Sequence, residues 1–209
     1  MHVRGVCAAI IAASMIALTG CAADAFGGDS PAADEVSLPH PATTDELTAA
    51  GTVLQRGDED PQLCLGGVAE SLPPQCAGPV IHGWDWAFVQ ASETSSDVTW
   101  GTYVVHGTWD GVGFTITRDA IPLSPDDPMP GMEPSSPDEK KPGVGVEAEL
   151  LRVQRDLQAP GYPTLLASWP SNGYLWINVI YDDGSVQAFL DKKYGPDVVR
   201  VQSALRPTD

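Results

Sequence analysis

Apolar positions recur along the chain in two rhythms, and the change of rhythm divides it. Upstream, short runs alternate apolar with polar side chains, the period of a strand with one buried face. Thr52-Val53-Leu54-Gln55 can be a first strand, and Pro79 to Trp86 a second. Thr102 to Trp109 and Val112 to Thr117 are two more, flanking Asp110-Gly111, a strong hairpin signal. Tyr103, Val105 and Trp109 then share one face, with Val104, His106 and Thr108 on the other. Glycines inside these short strands predict a small antiparallel β-barrel-like, OB-like module over 47–121, curled rather than flat.

Downstream the period lengthens. Val146, Leu150, Val153 and Leu157 fall at helical spacing, with Glu149, Arg152 and Asp156 three and four residues apart, and the pattern stops near Gln158, before Pro160-Gly161. Thr164–Trp169 and Tyr174–Tyr181 read as a hairpin about Pro170-Ser171-Asn172-Gly173. Ser185 to Tyr194 puts Val186, Phe189 and Leu190 on one helical face. That helix has Ser185 or Asp183 as its N-cap, Lys192 and Lys193 in its last turn, and Gly195-Pro196 as its stop. Val198–Val201 closes the series, and a helical crossover makes this strand parallel to the Tyr174 strand. The expected fold class is therefore α+β: the barrel-like module, then a small helix, hairpin, helix, strand module over 144–209.

Two stretches carry neither rhythm. Residues 21–46 are mostly Ala, Asp, Gly, Pro, Ser and Thr, too poor in large apolar groups to offset chain entropy, and read as a flexible tether. Residues 122–143 hold seven prolines, among them Pro125, Pro128 and Pro130, with five acids between them. Proline at that density excludes both helix and sheet interior. The stretch is an acidic linker between the two modules or a long loop thrown out of one domain.

Residues 1–20 have the form of an export signal: Arg4, an apolar run from Val6 to Leu18, then small residues. The run is shorter than the roughly 20 residues a spanning helix needs. Leu18-Thr19-Gly20-Cys21 resembles the bacterial lipobox. That resemblance implies cleavage before Cys21, a diacylglycerol thioether on its thiol, an acyl chain on the freed amine, and anchorage at the outer face of the cell membrane. The alternative is a secreted protein in which Cys21 is incidental or pairs elsewhere. With Cys7 cut away and Cys21 lipidated, Cys64 and Cys76 remain, and in an oxidising compartment they read as a disulfide rather than a zinc or redox pair.

Charge sharpens the division. The chain has 28 acidic and 11 basic residues, a formal net charge of -17. From Ala22 to Glu139 there are 20 acids and two bases, Arg56 and Arg118; from Lys140 onward acids and bases balance at eight each. Such a balance excludes a nucleic-acid-binding role, which needs clustered Lys and Arg, and adsorption through a polybasic patch. It suits solubility near anionic headgroups and wall polymers, or a weak surface for cations or basic partners. Asp58-Glu59-Asp60 and Asp126-Asp127 lack the spacing of a calcium loop.

Candidate chemistry is sparse. His82-Gly83-Trp84-Asp85 and His106-Gly107-Thr108-Trp109-Asp110 echo each other, and His82, His106 and Asp85 are an imaginable metal set. Their places in strands and a turn are explained without a metal. Trp84, Trp86 and Trp109, with Trp100, could line a groove for a peptide or glycan, although such residues more often fill a core. No nucleophile elbow, SxxK, HExxH or phosphate-cradling glycine loop occurs, and no cofactor is implied.

The stretch from Leu63-Cys64-Leu65-Gly66 through Leu72-Pro73-Pro74-Gln75-Cys76 to Gly83-Trp84-Asp85-Trp86 resembles uncharacterised lipoproteins of high-GC Gram-positive bacteria. The ending Tyr194-Gly195-Pro196-Asp197 to Ser203-Ala204-Leu205-Arg206-Pro207 is similar in style to proteins of the same organisms. The matching stretches cover roughly a third of the exported chain. The resemblance implies the location and the cysteine pair, and carries over no catalytic residue. The expectation is a non-catalytic binding or envelope-support protein with an envelope protein, peptide or glycan as partner. The rivals are a small hydrolase or metal-binding protein built on His82, His106 and Asp85, and a protease-inhibitor or propeptide-like unit at 144–209.

Overall fold

Two long strands form the spine of the molecule. In the computed structural model, which describes residues 38–124, 141–158 and 164–208, β1 (Thr43–Arg56) pairs antiparallel with β5 (Val98–Trp109) along nearly their whole length. β5 alternates as expected, burying Tyr103, Val105 and Trp109 while the intervening residues stay half-exposed. β1 is buried on both faces from Ala49 to Leu54, which is why its apolar run is continuous there and gives no alternation to read.

Short strands cover the outer edges of this pair in relay. On β1 lie β11 (Arg206–Pro207) and then β2 (Gln62–Cys64). On β5 lie β4 (Glu93–Ser95), β7 (Ile121–Pro122) and β6 (Phe114–Ile116). β3 (Ile81–His82) runs parallel to β6. The ladders follow the open order β11-β1-β5-β6-β3, not the closed ring of the sequence expectation. β2 and β3 form no ladder with each other. They meet through one bridge, Gln62 to Val80, with the Leu63 N–H donating to the Pro79 carbonyl at 2.8 Å and the Ile81 N–H to the Pro61 carbonyl at 2.9 Å.

Glycine is required where β6 pairs with β5. A Cβ on Gly107 would lie 2.2 Å from the Thr115 carbonyl oxygen and 2.7 Å from the Phe114 ring, so only a bare backbone lets Phe114 reach the core. Between β5 and β6 the Asp110 carboxylate accepts from the Val112 and Gly113 amides at 2.8 and 2.7 Å. The connection is therefore a four-residue Asx-type turn, longer than a two-residue hairpin.

The second layer follows the expected order. α1 (Glu147–Leu157), β8 (Leu165–Ser171), β9 (Tyr174–Val179), α2 (Ser185–Tyr194) and β10 (Val199–Ser203) make a three-stranded sheet in the order β10-β9-β8, and β10 is parallel to β9. Both helices pack on one face of it, where Leu150, Val153, Leu157, Val186 and Leu190 meet Leu175, Ile177, Val179 and Val199. Asn172 and Gly173 both take positive φ, closing the β8–β9 hairpin in two residues. Asp182 and Asp183 carboxylates accept from the first amides of α2, Asp183 from Ser185 at 3.0 Å. Among the described residues no helix is long and apolar enough to cross a membrane.

Each edge of this sheet is closed by a glutamine. Gln154 of α1 donates to the Ser168 carbonyl on β8 at 2.8 Å, and Pro170, lacking an N–H, lies two residues on. Gln187 of α2 donates to the Val199 carbonyl and accepts from the Val201 amide, both at 3.0 Å.

The architecture is α+β, with the two cores sharing chain. Ile180 and Leu205, from the C-terminal segment, are buried in the core of the large sheet, and Leu38 is buried among the helices. All described residues belong to one unit, Val36–Asp209. Leu38, in its apolar socket, and the first residues of β1 lie within the stretch 21–46. Residues 1–37, which hold the expected export signal and Cys21, lie outside the described residues, as do 125–140 of the expected linker.

The helices are tied where the Tyr194 hydroxyl donates to Asp156, which Lys193 also meets at 3.2 Å. Burial, reinforced by the bond to Asp156, pushes the Tyr194 phenol up to about 12 from 10.0. A raised phenol pKa stabilises the fold fully below pH 10 and loses that contribution as pH climbs toward 12. Urea midpoints measured across this alkaline window should fall for the wild type, and Tyr194→Phe should flatten the fall.

Candidate functional site

Six separate pieces of chain converge on a cleft of about 860 Å³. Gly66 and Gly67 follow β2, Ala77 to Pro79 follow the second cysteine, and Asp110 to Val112 form the β5–β6 turn. Across from them stand Thr164 to Leu166 at the head of β8, with Ile180 just past β9 and His40 at the rim. The cleft lies where the disulfide-bearing loop faces the three-stranded sheet.

The wall on the loop side is built by the disulfide. Cys64 and Cys76 are bonded, with Cα atoms 6.0 Å apart. The Arg56 guanidinium donates to the Cys76 carbonyl at 2.9 Å, and the Ala69 amide to the Gln75 carbonyl at 2.8 Å. A Cβ on Gly78 would lie 2.0 Å from the Leu63 carbonyl oxygen, so the returning strand presses against β2 through bare backbone. A Cβ on Gly67 would meet nothing within 4 Å. Its main chain therefore stands open toward the cleft.

The floor is apolar. Leu165, Leu166 and Ile180 supply it from the sheet side, and Trp109 closes one end. Trp109 is 3% exposed and its Nε1 donates to the Pro41 carbonyl at 3.0 Å, so it is a fixed wall. Asp110 is committed to its turn: amide bonds from Gly113 and then Val112 hold its carboxyl below the usual carboxylate range, with the His82 charge a lesser contributor. Such a cleft offers main-chain groups and apolar surface, without a convergent set of titratable side chains.

The tryptophans singled out by sequence do not share one groove. Trp84 lines a different cavity from Trp109, and Trp86 lines neither of the two. Trp84 stands edge-on to Trp86 at 5.3 Å and to Tyr103 at 4.9 Å, and the Trp86 Nε1 donates to Gln55 at 2.6 Å. This cluster packs against the core of the large sheet. Beside it lies a smaller cavity, about 260 Å³, between Gly83–Asp85, Phe88–Val89 and Ile116–Ala120.

His82, His106 and Asp85 are likewise kept apart. Asp85 caps a 3₁₀ turn at Trp86–Phe88, accepting from the Ala87 amide at 2.8 Å. His82 sits on β3 and His106 on β5, next to strand positions that lead toward different carboxylates, Asp110 and Glu46. Among the described residues no group of three His, Cys, Asp or Glu could hold a metal ion. Glu46 instead receives Thr117 at 2.7 Å and the Arg118 Nε at 2.9 Å; the Thr117 bond leads in holding its carboxyl below the ordinary range.

Sequence reasoning missed Gly67, Leu166 and His40, which come together only in the fold. Their sole local signals are the Gly-Gly pair after Cys64 and the Leu-Leu opening of β8. No family model matches the chain, and neither a curated protein nor a solved structure matches it.

Because the cysteine pair closes the loop that walls the cleft, the double variant Cys64→Ser/Cys76→Ser should be less stable by about 3 kcal/mol on the chain-entropy account. Urea denaturation checks this. Hydrogen exchange should rise first at Leu65 to Pro79, where the loop loses its closure.

Proposed function

We propose that the protein is a lipid-anchored envelope protein that binds, without catalysis, an extended polypeptide segment bearing apolar side chains. The observation that carries the reading is the composition of the cleft: bare main chain at Gly66, Gly67, Gly78 and Gly111 over a floor of Leu165, Leu166 and Ile180. Exposed main-chain groups suit the amides of an extended ligand, and an apolar floor suits its side chains. A glycan would ask for several polar side chains around the floor. The acid excess of the flanking segment favours a basic segment by raising its encounter rate.

The anchor rests on Leu18-Thr19-Gly20-Cys21 and the preceding apolar run, and the resemblance to lipoproteins of high-GC Gram-positive bacteria supports it. An oxidised Cys64–Cys76 pair agrees with an exported location. The large sheet is read as a partly closed Greek-key barrel of the OB kind. What supports that is the neighbour sequence β5-β1-β2-β3, joined through the Gln62–Val80 bridge, with β6 between β3 and β5.

Cys21→Ala should move the protein from the detergent phase to the aqueous phase on phase separation; retention in the detergent phase would remove the anchor. The cleft is tested by titrating the exported body with a panel of extended peptides alternating leucine and lysine. Gly67→Trp adds bulk at a position with open space, so it should weaken binding at least tenfold, about 1.4 kcal/mol, without lowering thermal stability. Wild type that binds none of the peptides, or a variant that binds them equally, would sink the cleft as the ligand site.

A further inference from the structure

The smaller cavity, beside Trp84, carries a chemistry that the cleft lacks. Phe88 is 83% exposed, at the end of a 3₁₀ turn that buries none of its residues, yet it lines the cavity together with Trp84. The turn that presents it is held by Asp85, one of whose oxygens accepts from the Ala87 amide at 2.8 Å. Gly83, at φ +79°, keeps the near wall thin; a Cβ there would come within 3.0 Å of the Ile116 side chain.

The charge around this aromatic pair is negative. Asp85 and Asp119 both line the cavity. Arg118 is the cation among the lining residues, and its guanidinium is taken by Glu46 through two hydrogen bonds, one of them 2.9 Å from Nε to Oε1. With that pair cancelled, two carboxylates remain in the lining, one of Asp85's oxygens also accepting from Ala87. A volume of about 260 Å³ admits a compact group and excludes a drug-sized ligand. Aromatic faces combined with carboxylates select an organic cation, because the ring quadrupole attracts positive charge while the ring surface takes up its alkyl groups. A bare metal ion has no place here, since no group of three ligating side chains occurs among the described residues.

We propose that this cavity binds a small N-alkylated ammonium ion, its methyl groups against Phe88 and Trp84 and its charge toward Asp85 and Asp119. The site is independent of the peptide cleft and stands or falls without it.

The probe is choline chloride, titrated into the exported body while the aromatic resonances of Phe88 and the indole of Trp84 are followed by NMR. Its uncharged isostere, 3,3-dimethylbutan-1-ol, has nearly the same shape. Choline should shift these resonances and saturate, with the isostere weaker by roughly tenfold or more. Phe88→Ala and Asp119→Asn should each weaken choline several-fold; both side chains are exposed, so melting temperatures should hold. Equal binding of the isostere, indifference to both substitutions, or no shift at about 10 mM choline would overturn the proposal. So would cosedimentation with phosphatidylcholine vesicles by a protein that ignores free choline, because the ligand would then be a membrane surface. Peptide binding in the cleft should be unchanged by Phe88→Ala, which separates the two sites.

Discussion

The pairing of β1 with β5 is the constraint from which the rest of the structure follows. Strands of 14 and 12 residues, joined antiparallel, set the register of six shorter strands, none of which could hold a sheet by itself. Each short strand borrows its backbone partners from one of the two long ones, directly or through β6. The inward row on β5, Tyr103, Val105 and Trp109, meets Leu47, Ala49 and Val53 from β1, so the same register that forms the hydrogen bonds also assembles the core. A slip of one residue would turn that row outward and take the Trp109 end of the cleft with it.

The spine also explains how the C-terminal layer is attached. β11 returns to β1 after the whole three-stranded sheet has been built, and Leu205 beside it is buried in the core of the large sheet. In the other direction Leu38, just before β1, is buried among α1, α2 and their sheet. Chain from each end thus crosses into the opposite core. The cleft occupies the line where these layers meet, which is why it draws on residues as distant in sequence as His40, Gly67 and Leu166.

What was legible in the sequence were elements whose reasons are local. α2 spans Ser185–Tyr194 as the apolar spacing and the Gly195-Pro196 stop require, and the Asn172-Gly173 turn supplies the positive φ its hairpin needs. The start of β1 was hidden, because Thr43-Thr44-Asp45-Glu46 carries no apolar side chain to set an alternation and is held by Thr43 pairing with Trp109 and by Thr117 and Arg118 on Glu46. β4 escaped notice because Ser96 and Asp97 take positive φ without glycine. At the sites, Trp84 and Trp109 stood out as large amphipathic residues, but nothing in their spacing says they face different cavities. Phe88 and Asp119 carried no signal at all, since a lone exposed side chain acquires meaning only from what the fold sets beside it.

The glutamines that close the small sheet bear on where such a fold can work. Edge strands are commonly guarded by charge, and a charged guard weakens as salt screens it or as acid neutralises it. A carboxamide has no proton to gain or lose near neutrality and carries a donor and an acceptor together. Gln187 uses both against β10, occupying the backbone positions a further strand would take. The guard on this sheet is therefore indifferent to the ionic strength and acidity of its surroundings.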